Sequence, residues 1–210
     1  MKPNQQILID YANVLNEARI RILGINTIVT GTTSLPPWIT AELGYLQLRM
    51  LCELVALGCL IAHGDLQAFE AKKLHGEYAA DRIIKAMERL HPGFYPRPVT
   101  STHTPDGLHL DPIVSGFLSK EELVELYREC GEHLHRGSAK RIFHATQPKR
   151  PPELEKVFSW GSKFSALLSQ HLISSPTKNE HLLCFISHEQ AGGESLVIFA
   201  QAPDLTGNDN

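Results

Sequence analysis

The stretch WITAELGYLQLRMLCELVALGCLIAH, from Trp38 to His63, decides the fold. Its leucines recur at helical spacing and spread over most of the circumference, which is typical of a helix packed on several sides. Pro36-Pro37 marks the start, because the amide hydrogen that proline lacks is not needed in the first turn. The sequence therefore predicts a helix of about 26 residues and about 39 Å at the centre of a mainly α fold.

A narrow polar stripe interrupts this apolar helix. Steps of about 100° per residue place Glu42, Arg49 and Glu53 within roughly 40° of one another, with Tyr45 beside them. Arg49 and Glu53 are four residues apart, so we expect them to form an ion pair. The stripe either holds the helix to a neighbour or lines a polar site, and its charges argue against a membrane span, which needs about 20 predominantly apolar residues.

Composition sets the broad class. The chain has 210 residues and a net charge of −3, which suits one domain without an overall basic surface. Four dispersed cysteines without CxxC spacing indicate buried free thiols in a reducing compartment. The N-terminal MKPNQQILID lacks a secretory pattern, so we expect a cytoplasmic protein. None of the eleven histidines falls in a metal-binding motif, so we expect neither a metal nor another cofactor.

Apolar periodicity predicts further helices around the central one, for a bundle of five or six. The predicted bounds are Asn4 to Leu23, ended by Gly24; Glu77 to Leu90; Lys120 to about Arg136; and Glu153 to Leu172. Ser119 with Glu122 forms a capping box at the third of these helices, since each side chain can bond the other residue's amide.

Two β-hairpins interrupt the helical pattern. The first is an insertion at about 94–114, where a Pro-Asp-Gly turn signal separates Val99 to His103 from Leu108 to Leu110. The second, at 180–202, has two β-prone runs around Ala-Gly-Gly-Glu. We therefore predict a helical domain at 1–175 that includes the first hairpin, a terminal hairpin at 180–202 packed on it, and a loose tail at 203–210.

The helix after Ser119 carries the strongest candidate for chemistry. Its core face is Leu123, Leu126, Tyr127, Cys130 and Leu134. Arg128 and His135, seven residues apart, are nearly in register on the opposite side. Three glutamates share that side and repel a polyanion, so a nucleic-acid site there would need the positive charges of Arg136, Lys140 and Arg141.

The run Arg128-Glu129-Cys130-Gly131-Glu132-His133-Leu134-His135 resembles the motif of ribonucleases in the higher eukaryotes and prokaryotes nucleotide-binding (HEPN) superfamily. That motif is an arginine, usually followed by a polar residue, and a histidine after four to six intervening residues. His135 fits the six-residue spacing and His133 the four-residue spacing. His135 is the better geometric partner, because His133 turns toward the core edge. The likeness extends loosely to the helical bundle and to the charged stripe of the central helix, and not to the hairpins.

The resemblance implies a homodimer in which two Arg-His pairs face a shared cleft and cut RNA without a metal. Histidine can move a proton to or from a ribose 2′-hydroxyl near neutral pH, and arginine can stabilise a phosphorane-like transition state. Arg128 and His135 would be catalytic, with His133, Arg136, Lys140 and Arg141 as substrate contacts. Such a protein would serve as the toxin or effector of a defence or stress system, with an inhibitor protein as a further partner.

Two other functions are compatible with the same residues. In the first, the protein is a non-catalytic helical interaction protein, and Arg128 pairs with Glu121, Glu125 or Glu132 on a solvated helix face. In the second, it is a small-molecule sensor whose mid-chain hairpin closes over Arg49, Glu53 and His63.

Overall fold

The computed structural model describes residues 3–31, 34–64, 74–105, 107–135, 153–174 and 180–201. Within these ranges the chain forms five α-helices, five strands and two short 3₁₀ helices at Leu74–Gly76 and Glu189–Ala191. The helices are α1 (Pro3–Val29), α2 (Pro37–Ala62), α3 (Ala80–Leu90), α4 (Lys120–Leu134) and α5 (Leu154–Leu168). The strands are β1 (Arg97–Thr104), β2 (Gly107–Pro112), β3 (Gln170–Ser174), β4 (Glu180–Phe185) and β5 (Leu196–Gln201). The prediction of a mainly α fold is confirmed.

Helix α2 occupies the centre of the molecule and packs against all four of the other helices. Its buried side includes Tyr45, Leu48, Leu51 and Cys52, none of which is exposed to solvent. Pro37 is its first residue, and the helix ends at Ala62 with His63 as its C-cap. It therefore contacts neighbouring helices on several sides, as the spread of its leucines around the helix predicted.

Helix α1 is longer than the sequence predicted. The expected stop at Gly24 is wrong, because α1 continues through this residue to Val29. Ile25 and Ile28 extend its buried face beyond Gly24. Glycine lowers helix stability by only about 1 kcal/mol, so the burial of two further isoleucines is enough to keep the helix going.

The strands form one antiparallel sheet in the order β2-β1-β3-β4-β5. β1 and β2 pair at the predicted mid-chain turn, and β4 and β5 pair at the C-terminal one. They are not two separate hairpins, because β3 pairs with β1 on one side and with β4 on the other. The predicted helix from Glu153 to Leu172 is wrong at its end, since α5 stops at Leu168 and β3 begins at Gln170.

One face of the sheet closes the helical core. His171, Cys184 and Val197 lie side by side in the strand register, and all three are buried. Cys184 and Val197 belong to the same apolar cluster as the leucines of α2. The sheet and the helices thus share one core in the described residues. The predicted division into 1–175 and 180–202 stays a prediction, and the tail at 203–210 lies outside the described residues.

Among the described helices, α2 is the one that is long and apolar enough to cross a membrane by length and composition. In this fold, 56% of its apolar 18-residue window is buried inside the protein. A helix at the centre of a core has the same composition.

Candidate functional site

Helix α4 carries the predicted Arg-His pair, and its start is fixed by a complete capping box. The Ser119 hydroxyl accepts a hydrogen bond from the Glu122 amide, and the Glu122 carboxylate accepts one from the Ser119 amide. Glu122 also pairs with Lys163 of α5. The buried face of α4 is formed by Leu123, Leu126, Tyr127 and Cys130, as the sequence predicted.

Arg128 lies on the opposite, solvent-facing side of α4. Its side chain is 69% exposed, and its Nη1 donates a hydrogen bond to Glu132 Oε1 at 3.0 Å. Glu132 is one of the three carboxylates that the sequence offered as partners for this arginine. An exposed pair of this kind contributes at most about 1 kcal/mol to stability, so it can be exchanged for another anion at little cost.

His135 is the C-cap residue of α4, because the helix ends one residue before it rather than at Arg136. Its amide still donates to the Gly131 carbonyl at 3.0 Å, which keeps its Cα close to the next helical position. His135 is exposed, as Arg128 is.

His133 takes a different environment, since it is turned toward α2 as its position on the helix predicted. Its ring lies against Tyr45 with 4.0 Å between the ring centroids, and its Nε2 is 3.6 Å from Glu129 Oε1. Its Nδ1 is buried. A histidine held in this way ties the end of α4 to α2, and its side chain is only 23% exposed.

The polar stripe of α2 faces α4 and ties the two helices together. Arg49 Nε is 3.3 Å from Glu53 Oε1, which confirms the predicted ion pair. Tyr127 joins both members: its hydroxyl accepts from Arg49 Nη2 at 2.8 Å and donates to Glu53 Oε1 at 3.2 Å. The Tyr45 hydroxyl donates to Glu129 Oε1 at 2.9 Å. Glu42 lies half-buried one turn before Tyr45.

The ionisation of these groups suits a structural contact. Burial, followed by the hydrogen bond to Glu129, raises the pKa of Tyr45 well above its usual value. Burial likewise raises the pKa of Tyr127, although the nearby Arg49 opposes the shift. Burial raises the pKa of the Cys130 thiol to about 12. Both tyrosines therefore remain hydroxyl donors, and Cys130 is not a nucleophile at neutral pH.

Sequence reasoning missed Tyr127 and Glu129 as members of this contact. The helical pattern predicts Tyr127 on the apolar face of α4 and assigns no role to Glu129. The available signal was the tyrosine hydroxyl, because a tyrosine on a buried helix face normally needs a polar partner. The three basic residues expected to bind substrate, Arg136, Lys140 and Arg141, lie outside the described residues.

Several other histidines serve the fold. Buried His63 presents Nδ1 to the Cys59 carbonyl at 2.7 Å and Nε2 to the Ser174 carbonyl at 3.1 Å. His91 Nε2 approaches the same Ser174 carbonyl at 3.2 Å. Within the described ranges, no three His, Cys, Asp or Glu side chains are grouped as metal ligands.

A shallow cleft of about 360 Å³ lies between the segment leading into β1 and the start of α4. Its apolar walls include Tyr95, Ile113, Phe117 and four prolines. None of the predicted site residues lines it. The cleft adjoins Lys120 at the opposite end of α4 from His135, so it is separate from the Arg-His pair.

Comparison with known proteins gives no relative, since no family model, curated protein or solved structure matches this chain.

Proposed function

We propose that the protein is a HEPN-like, metal-independent endoribonuclease of a defence or stress system. Arg128 and His135 act on RNA, and two copies form a homodimer in which these pairs face a shared cleft. The observation that supports the proposal is that both residues are exposed, Arg128 on the side of α4 away from its buried face and His135 at its C-cap, while the helix packs on α2.

The rigidity of α4 supports this role. A catalytic pair must be held within a fraction of an ångström of its working geometry. The capping box fixes the first turn of α4, and the Arg49–Tyr127–Glu53 contact fixes its middle. The Tyr45–Glu129 hydrogen bond and the His133 ring fix its last turns. These contacts lie on the buried side of α4, whereas Arg128 and His135 are exposed to solvent.

The chemistry required of each group is simple. The ribose 2′-hydroxyl is the nucleophile: its oxygen bonds to the adjacent phosphorus while the bond from phosphorus to the 5′-oxygen of the next nucleotide breaks, and that oxygen leaves with a proton. No serine or cysteine of the protein is needed. His135 takes or gives a proton, and Arg128 stabilises the additional negative charge at phosphorus. A phosphate oxygen replaces the Glu132 carboxylate as the partner of Arg128. Bidentate pairing with phosphate is the usual role of a guanidinium at such sites.

The test is cleavage of total cellular RNA by purified protein in the presence of a metal chelator. Wild-type protein is expected to cut RNA, and Arg128→Ala and His135→Ala to lower the rate at least about 100-fold, the effect of losing general acid-base catalysis. Arg82→Ala is the matched control for Arg128, because Arg82 is 72% exposed and paired with Glu77. His109→Ala is the control for His135, because His109 is exposed and lies on β2.

Two results would reject the proposal. One is the absence of cleavage by wild-type protein, and the other is equal cleavage by wild-type protein and His135→Ala. Circular dichroism of each variant separates loss of catalysis from loss of folding.

A second candidate is a non-catalytic helical interaction protein. The Arg128–Glu132 ion pair favours it, since the guanidinium already has a carboxylate partner. The Arg128 side chain is also 69% exposed, so the described residues of one copy do not enclose it in a pocket. In this case the same experiment gives no cleavage. Arg128→Ala then changes stability by less than about 0.5 kcal/mol, as for other exposed i,i+4 pairs.

A further inference from the structure

The sheet has two edges with different chemistry. β2 ends one edge, and it carries an exposed His109–Asp111 pair and finishes in Pro112, which has no amide hydrogen. Charged side chains and proline are the usual means of preventing a strand from pairing with another chain. β5 forms the other edge with the sequence LVIFAQ, which contains no charge, proline or glycine.

Among the described strands, β4 is the neighbour of β5, and the other side of β5 keeps hydrogen-bonding groups that these strands do not use. In an antiparallel pair, alternate residues of an edge strand point their amide and carbonyl groups away from the neighbouring strand. β5 pairs with β4 along its whole length. No described strand pairs with its other side. The remaining backbone groups match those of an added β-strand, and Ile198 and Phe199 are 40% and 41% exposed beside them.

An apolar stripe on α1 adjoins this edge. Ile9, Asn16, Ile20 and Leu23 fall within an arc of roughly 60° on the outer side of the helix. The three apolar members are exposed. Asn16 Oδ1 accepts a hydrogen bond from the amide of Ser195, the residue just before β5, at 2.9 Å. The stripe and the strand edge therefore form one continuous surface.

We propose that this surface binds a second copy of the same chain through antiparallel pairing of β5 with β5. A two-fold axis perpendicular to the sheet places Ile198 of one copy opposite Ile198 of the other, and Val197 opposite Phe199. Residues opposite each other then lie on the same face of the sheet, as antiparallel pairing requires. The uncharged strand is thus complementary to itself, and the two five-stranded sheets become one sheet of ten.

Pairing of the strands alone is too small for a stable interface, so the α1 stripe has to supply the rest of the contact. A six-residue strand about 20 Å long and a sheet about 10 Å thick give a contact of only ~200 Å². A stable interface needs about 800 Å² per partner. The α1 stripe runs for about 21 Å from Ile9 to Leu23. Because α1 adjoins β5, the two-fold axis that pairs the strands brings the two stripes to the same junction and enlarges it.

The test is the mass of the purified protein in solution, measured by light scattering during size-exclusion chromatography without RNA. We expect wild-type protein to have at least twice the mass of one chain and Ile198→Lys to halve that mass. Leu108→Lys is the matched control, because Leu108 is 39% exposed and lies on β2 at the other edge. It is expected to leave the mass unchanged.

A second variant tests the same surface without changing β5, in case Ile198→Lys disrupts the folding of that strand. Ile20→Lys changes an exposed helix position, and we expect it to raise the concentration needed for association by about tenfold. Val114→Lys, at another exposed apolar residue, is its control. A monomeric wild-type protein overturns the proposal. So does Ile198→Lys with wild-type mass and a native circular dichroism spectrum, or an equal loss of mass in Leu108→Lys. Since no RNA is present, association and cleavage are measured separately. A protein that cuts RNA but whose mass Ile198→Lys leaves unchanged fails this proposal alone, and a protein that loses mass in Ile198→Lys but cuts no RNA fails only the nuclease proposal.

Discussion

His171 shows how a single buried side chain joins two elements of this molecule. Its Nδ1 faces the Leu168 carbonyl at 3.3 Å, and its Nε2 is 2.8 Å from the Tyr11 hydroxyl. Because a carbonyl oxygen can only accept, Nδ1 carries the hydrogen and Nε2 accepts from Tyr11. The neutral ring is therefore fully satisfied, and it connects α1 to β3 inside the core.

This arrangement predicts a dependence of stability on pH. Burial lowers the pKa of His171 from 6.5 to about 4. Between these values the unfolded chain binds the proton more readily than the folded one, so the free energy of unfolding falls as the pH falls. The contribution is complete above pH 6.5 and decreases by about 3 kcal/mol on reaching pH 4. Denaturant titration at pH 7, 5.5 and 4 measures it.

Two substitutions isolate this histidine from the other titrating groups. His171→Gln is expected to be less stable at pH 7 but to lose about 3 kcal/mol less between pH 7 and pH 4 than wild-type protein does. His109→Gln, at an exposed histidine, is expected to keep the wild-type dependence. Parallel curves for wild-type protein and His171→Gln would contradict the assignment.

At the scale of elements, two glycines allow the helices to approach closely. A Cβ atom added to Gly44 of α2 would lie 2.6 Å from Val157 Cγ1 of α5. A Cβ atom added to Gly161 of α5 would lie 2.9 Å from Ile25 Cγ2 of α1. Both distances are shorter than any ordinary contact between carbon atoms. The spacing of α5 from its two neighbours therefore depends on the missing side chains.

We predict that Gly44→Ala destabilises the protein by about 1 to 3 kcal/mol through overpacking, although alanine favours the helix. Gly24→Ala in α1 is the matched control, because a Cβ atom there meets nothing within 4 Å. It is expected to stabilise the protein by up to about 1 kcal/mol. Urea titration compares the two variants. Adding Val157→Ala should relieve part of the Gly44→Ala loss, and no such relief would contradict the packing argument.

The same elements show which features the sequence could predict. The apolar spacing of α2 and the capping box of α4 depend on neighbouring residues, and both predictions agree with the structure. β3 was missed because the run Leu167-Leu168-Ser169-Gln170-His171-Leu172-Ile173 continues the helical spacing of α5. A short apolar run of this kind fits either a helix or a strand. Pairing with Leu183 and Arg97, which are distant in sequence, makes it a strand.

In the candidate site too, contacts within one helix are predictable from the sequence and contacts between helices are not. The Arg49–Glu53 pair was predictable because its partners are four residues apart on one helix. Tyr127 was not, since periodicity within α4 does not reveal which part of α2 it meets. The sequence predicts that α4 ends at about Arg136, whereas the helix ends at Leu134. No sequence signal distinguishes its last turn from the segment that follows.

At the scale of the whole molecule, the sheet and the helices are expected to unfold together. β4 supplies Leu182 and Cys184 to the apolar cluster that also contains the leucines of α2. If either β4 or α2 unfolds, apolar side chains of the remaining element become exposed to water. Pulsed hydrogen exchange with mass spectrometry at increasing urea is expected to give α2 and β4 the same midpoint. Two separate midpoints would support the alternative, in which 180–202 is an appendage on an independently stable helical domain.

The hydrogen bond between Asn16 and Ser195 also has a consequence for the synthesis of this protein. The two residues are 179 positions apart in sequence, and ribosomes add about 5 to 20 residues per second. Roughly 10 to 40 s therefore pass between the synthesis of Asn16 in the first helix and that of Ser195 beside the strand. During that interval the side of the helix that faces this strand lacks its partner, and partly folded chains of this kind aggregate. Rapid overexpression is therefore expected to raise the fraction of the protein found in inclusion bodies.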